Sequence, residues 1–149
     1  MTFKQKIHQH YSQQVQDKID VFRDMISALT EDSKNDAKGS AGDKHETALS
    51  MMHLEQEKIT QKLTEAIALQ GVLDRIEVSK TNSTIALGSS VKVNALQLFV
   101  SAALPKITVE GITVLSVSPQ SPLGSQLMGK KQGDIVFVNG TTFTIHEVA

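Results

Sequence analysis

Two long apolar seams in the first half of the chain constrain the fold more than any other feature. Val15, Ile19, Phe22, Ile26 and Leu29 recur at steps of four, three, four and three. Phe3, Ile7 and Tyr11 extend the series upstream at steps of four. A stripe of this period lies along one face of a helix and must be covered by another surface. A second series begins after residue 45 with Met52, Ile59, Leu63, Ala66 and Leu73, flanked by Ile67 and Leu69 and interrupted by Gln56 and Gln70. Each series lasts about 30 residues, which is about 45 Å of helix at 1.5 Å per residue. Between them, Thr30 to Gly42 contains Ser33, Asn35, Asp36, Gly39, Ser40 and Gly42, all turn-forming residues. Two long helices joined by a short polar loop bury their seams by doubling back. The sequence therefore predicts an antiparallel helical hairpin with its tip near residues 33–46. Gly71 weakens the second helix by about 1 kcal/mol relative to Ala, and fraying is expected there.

Composition changes near residue 80. Up to Lys80 there are 11 basic and 13 acidic residues; from Thr81 onward there are 4 and 3. The three prolines, Pro105, Pro119 and Pro122, all lie in the second part, and Ser79 to Ser83 reads as a polar linker. The hydrophobic period there changes from helical to alternating. Val91 and Val93, then Leu96, Leu98 and Val100, then Ile107 and Val109, then Ile112, Val114 and Val117 mark strands. Ile135–Val138 and Thr142–Val148 flank Asn139-Gly140, a strong hairpin signal. One short helix is predicted, with Ser121 as N-cap, Pro122 as its first residue and Gly129 as its stop. The expected fold class is α+β. Residues 1–78 form an antiparallel coiled-coil hairpin, and residues 79–149 form a small antiparallel β domain carrying one short helix.

Several chemistries are excluded by composition. The net charge of −1, from 15 basic and 16 acidic residues, does not suit a protein that grips nucleic acid by bulk electrostatics. With no cysteine, there is no disulfide framework, thiolate zinc site or cysteine nucleophile. No apolar run reaches the ~18 residues of a membrane span, and Met1 to Tyr11 lacks the apolar core of a signal peptide, so a cytoplasmic location without membrane contact is expected. His8, His10, His45, His53 and His146 include no i,i+4 pair and read as solvated. Phosphate-loop, dinucleotide and serine-hydrolase motifs are missing. The glutamines of the first helix, Gln5, Gln9, Gln13 and Gln16, read as a solvated face.

The acidic pair at the hairpin tip, Asp43 and Glu46, is the feature that carries chemistry. Its i,i+3 spacing where the second helix begins suits an Asp-type capping box and the helix dipole. The same pair offers two carboxylates at the end of a rod. Mg²⁺ takes one or two carboxylates and completes its octahedron with water or phosphate oxygens.

The stretch Ser121-Pro122-Leu123-Gly124-Ser125-Gln126-Leu127-Met128-Gly129-Lys130-Lys131-Gln132-Gly133-Asp134 resembles the C-terminal signature of the bacterial Gre transcript-cleavage factors. Leu87-Gly88-Ser89-Ser90-Val91-Lys92-Val93 resembles that family's opening strand. The resemblance implies an N-terminal antiparallel coiled coil followed by an FKBP-like globular domain. At the tip, Gly42, Asp43, Glu46 and Ala48 fall into register with the family pattern. Lys44-His45 stand in place of Leu-Ser or Arg-Ser, Thr47 in place of Asn, and Leu49-Ser50 in place of an acidic residue and Tyr. What the resemblance implies is a monomeric elongation factor whose hairpin enters the secondary channel of RNA polymerase. There, Asp43 and Glu46 would be the catalytic and metal-holding residues, sharing Mg²⁺ with the polymerase and meeting nascent RNA only inside that complex. The chain would stimulate the polymerase's own RNA cleavage and would not be an enzyme itself. The alternatives are a secondary-channel regulator without cleavage activity and a plain coiled-coil interaction protein. A prolyl isomerase is disfavoured by the few aromatics of the β domain: Phe99, Phe137 and Phe143.

Overall fold

The computed structural model describes residues 1–39 and 43–149, and the side chains of residues 1–32 and 46–149. Two long helices open the chain, α1 (Phe3–Gly39) and α2 (Asp43–Asp74). Six strands and a short helix follow: β1 (Ser90–Val93), β2 (Leu96–Val100), β3 (Ile107–Val109), β4 (Ile112–Val117), α3 (Pro122–Leu127), β5 (Ile135–Val138) and β6 (Thr141–Val148). α1 runs on to Gly39, through the first part of the polar stretch where a turn is expected. Ser, Asn and Asp cost a helix only a few tenths of a kcal/mol each, too little to stop one already propagating. Nor does α2 end at Gly71; it continues to Asp74.

The chain forms two compact units, Gln13–Gln70 and Met1–Ser12 with Gly71–Ala149. They do not follow the change of composition near residue 80, since the first turns of α1 and the last turn of α2 belong with the sheet.

Within Gln13–Gln70 the two helices are antiparallel. Gln70 Nε2 donates to Gln16 Oε1 at 2.5 Å, and Gln56 Nε2 donates to Thr30 Oγ1 at 2.8 Å. Fourteen residues forward along α1 are thus matched by fourteen backward along α2. Val15, Ile19, Ile59 and Ala66 are buried, whereas Phe22, Ile26, Leu29, Met52 and Leu63 are half-buried. A helix with a single partner can bury only the middle of its stripe. The two glutamines that interrupt the α2 seam are its polar register pins, each meeting a polar partner on α1. Gln16 is therefore part of the seam rather than of a solvated face.

The other unit is built on a six-stranded sheet of order β3-β4-β2-β1-β6-β5. All neighbours are antiparallel except β2 and β4, where Gln97 pairs with Val114 and Val100 with Val117 in parallel. The chain leaves β2, skips a position to lay down the edge strand β3, and returns through a tight turn to fill the gap with β4. Alternation did not reveal this, because it records which face a side chain takes and not strand direction. The β5–β6 turn is as expected, with Asn139 at φ 51° and Gly140 at φ 79°. Both values are those of a type I′ turn.

Alternate residues of β2 serve the two faces of the sheet. Leu98 and Val100 join Ile85, Val91, Val93, Leu127, Val136 and Ile145 in one apolar cluster, which brings in α3 through Leu127. Phe99 points the other way and stacks on Tyr11 of α1, with ring centroids 6.1 Å apart and planes 11° apart. The Tyr11 hydroxyl donates to the Pro105 carbonyl at 2.8 Å. His8 Nε2 lies 2.7 Å from the Leu73 carbonyl, and Lys6 is paired with Glu110. These contacts hold the start of α1 against the sheet unit and the last turn of α2.

Candidate functional site

Asp43 is the first residue of α2, and Glu46 lies in that helix's first turn. Residues three apart on a helix are neighbours on one face, about 5–6 Å between Cβ atoms. The Glu46 side chain is exposed, with no hydrogen bond or ion pair among the described residues. The side chains of Asp43, Lys44 and His45 lie outside the described residues. As a donor set, two carboxylates fit a Mg²⁺ that takes its remaining oxygens from elsewhere. No group of three or more potential metal ligands occurs among the described residues.

The C-terminal signature resolves into a structural module. Ser121 caps α3, its Oγ accepting from the Gly124 amide at 3.0 Å and donating to the Ser118 carbonyl at 2.7 Å. Pro122 opens the helix, and Leu127 is fully buried in the apolar cluster. Gly124 allows the Ser118 backbone to approach so closely that a Cβ there would stand 1.8 Å from the Ser118 oxygen. Gly129, at φ 78°, ends the segment, and its amide donates to the Ile85 carbonyl at 2.8 Å. The Asp134 carboxylate accepts from the Lys131 amide at 3.0 Å and so closes the next turn. Lys130 and Lys131 are exposed. The signature residues thus build a cap, a close approach and two turns. They speak for a local fold, and any chemistry must come from elsewhere.

No family model matches the chain, and no curated protein matches it. Among solved structures it is similar to the crystal structure of GreA factor homolog 1 (Gfh1) protein of Thermus thermophilus. That likeness covers 93% of this chain and 94% of that one, at 16% identity and a TM-score of 0.36.

Sequence reasoning missed several residues of the sheet unit. His8, expected to be solvated, is half-buried against the Leu73 carbonyl at the end of α2, while His10, His53 and His146 are exposed. Tyr11 was placed on a helical seam, but its hydroxyl has a backbone partner 94 residues away. Burial pushes its pKa up to about 12. Lys4 carries no sequence signal at all, yet is only 6% exposed, with its ammonium donating to the Lys80 carbonyl at 2.7 Å. No helix among the described residues is long and apolar enough to cross a membrane.

Proposed function

We propose that this chain is a Gre-type transcription elongation factor whose helical hairpin enters the secondary channel of RNA polymerase and stimulates cleavage of backtracked RNA. The observation that carries the reading is the acidic pair Asp43 and Glu46 at the start of the second hairpin helix. It occurs in a chain whose β half bears the signature from Ser121 to Asp134. Paired long helices suit a narrow channel. Asp43 and Glu46 would help hold one Mg²⁺, with the polymerase and RNA providing the other oxygens. When bound, the metal supplies Lewis acidity and lowers the pKa of a coordinated water. The chain contributes only the two carboxylates and their position, so it acts as a factor and not as an enzyme. It works in this reading as a cytoplasmic monomer that meets nascent RNA only within the polymerase complex.

The test is a stalled, backtracked elongation complex with Mg²⁺. Adding the protein should release short RNA fragments bearing the 3′ end. Asp43→Asn and Glu46→Gln should each reduce fragment release to the level without factor while polymerase binding persists. A second reading, a channel regulator without cleavage activity, is favoured by Lys44-His45, Thr47 and Leu49-Ser50, which differ from the family's tip. Binding without fragments from the unaltered protein would assign that role. No binding to polymerase would reject both.

A further inference from the structure

A cleft of about 390 Å³ lies in the sheet unit beside the start of α1. This is within the size range of small-ligand sites. Three lysines line it: Lys4 from α1, Lys80 from the segment after α2, and Lys92 from β1. They reach it from three separate parts of the chain, so no local charge run accounts for the cluster. Glu147 also lines the wall, directly across from Lys92 in the β1–β6 register, as does Ala149. None of the three lysines forms an ion pair among the described residues.

Lys4 is the informative member. An ammonium has three protons to donate, and this one, 6% exposed, has a single partner among the described residues, the Lys80 carbonyl. Burial, with the charge of Lys80 beside it, holds the Lys4 ammonium below the usual lysine range. A buried cation next to a second cation is unfavourable unless an anion joins them. The helix adds donors. Thr2 and Gln5 satisfy each other's amides as a capping box, at 2.9 and 3.1 Å. The amides of Phe3 and Lys4, both on the cleft wall, have no partner among the described residues. Ser79 and Thr81 line the same wall, as do the apolar residues Phe3 and Ile112.

We propose that this cleft binds a small phosphate-bearing anion, seated against Lys4, Lys80 and Lys92 at the N-terminus of α1. Free amides at a helix start and converging ammonium groups are the donors a phosphoryl oxygen requires. The shared chemistry fits an inorganic phosphate chain or the phosphates of a nucleotide, whose ring could lie on Phe3 and Ile112. This assignment is independent of the channel-binding reading.

Calorimetric titration of the full chain with inorganic pyrophosphate, ATP and adenosine tests it. Saturable one-to-one binding of pyrophosphate and ATP is expected, with shifts in the backbone NMR signals of Phe3, Lys4 and residues 79–81. Adenosine should not bind. ATP binding well above pyrophosphate would identify a nucleotide, and equal binding an inorganic phosphate chain. Lys80 and Lys92 are exposed, so Lys80→Gln and Lys92→Gln should fold normally. Each should weaken pyrophosphate about tenfold, the loss of one charge-assisted hydrogen bond, whereas Lys131→Gln should leave it unchanged. Lys4→Met should abolish binding with its circular dichroism retained. The proposal is overturned if neither phosphate ligand binds saturably at millimolar concentration, if adenosine binds as well as ATP, or if the Lys80→Gln/Lys92→Gln double variant binds pyrophosphate normally.

Discussion

Replacing Gly124 by Ala sets local propensity directly against tertiary geometry. In a helix interior Ala is favoured over Gly by about 1 kcal/mol. Propensity alone therefore has Gly124→Ala stabilising the protein. The structure reverses the sign, because the new Cβ would stand 1.8 Å from the Ser118 oxygen and 2.8 Å from its carbonyl carbon, both backbone atoms. Relieving the overlap means moving the Ser118 carbonyl by more than an ångström. That carbonyl accepts both the Ser121 amide at 3.1 Å and the Ser121 hydroxyl at 2.7 Å. Two hydrogen bonds at about 1 kcal/mol each, plus about 2 kcal/mol of overpacking, outweigh the propensity gain. The net loss is about 3 kcal/mol, or about 9 °C in the midpoint for a chain of this size. Gly71→Ala is the control, because that helical glycine has nothing within 4 Å of its Cβ position and no positive φ. It should gain about 1 kcal/mol, or about 3 °C. The protein has one tyrosine and no tryptophan, so Tyr11 emission follows the unit that holds both glycines through thermal unfolding. If Gly124→Ala raises the midpoint as Gly71→Ala does, the close approach at Ser118 is not what holds the signature's shape.

Other outcomes follow from the same physical terms. The Tyr11 phenol, with its pKa pushed up to about 12 by burial, should give its tyrosinate absorbance about two pH units higher in the folded protein than in urea. Its protonated form is the one favoured by folding, so its contribution is complete below pH about 10 and is lost as pH rises toward about 12. Tyr11→Phe should lack that alkaline decline and lose about 1 kcal/mol at neutral pH through the Pro105 bond, as read by urea unfolding at several pH values. In the hairpin, a double-mutant cycle of Gln16→Ala and Gln70→Ala should show a coupling of about 1 kcal/mol. A coupling of zero would mean that the glutamines do not pin the register.

What the chain carries locally was readable without coordinates. The step from helical to alternating period near residue 80 separated helices from strands, and Asn139-Gly140 placed the last hairpin. Ser121, Pro122 and Gly129 placed α3 to the residue. Each of these signals acts within a few residues, through φ preference, a cap or a missing donor. The placement of Asp43 and Glu46 in the first turn of α2 was legible for the same reason, since spacing on a helix is local.

Contacts between distant segments were not readable. Periodicity marked Gln56 and Gln70 as defects in a seam, but their partners Thr30 and Gln16 sit 26 and 54 residues away. The parallel pairing of β2 with β4 needed the path of the chain, because alternation is blind to direction. Lys4 shows the difference most clearly. In the sequence it is an ordinary lysine near a helix start, and only closure of the chain brings Lys80 and Lys92 to the same cleft. Residue type and spacing specify which backbone shape each segment prefers, because those preferences are energies of neighbours in sequence. Burial and charge environment depend on which remote segments share a volume, and the tertiary structure alone sets that.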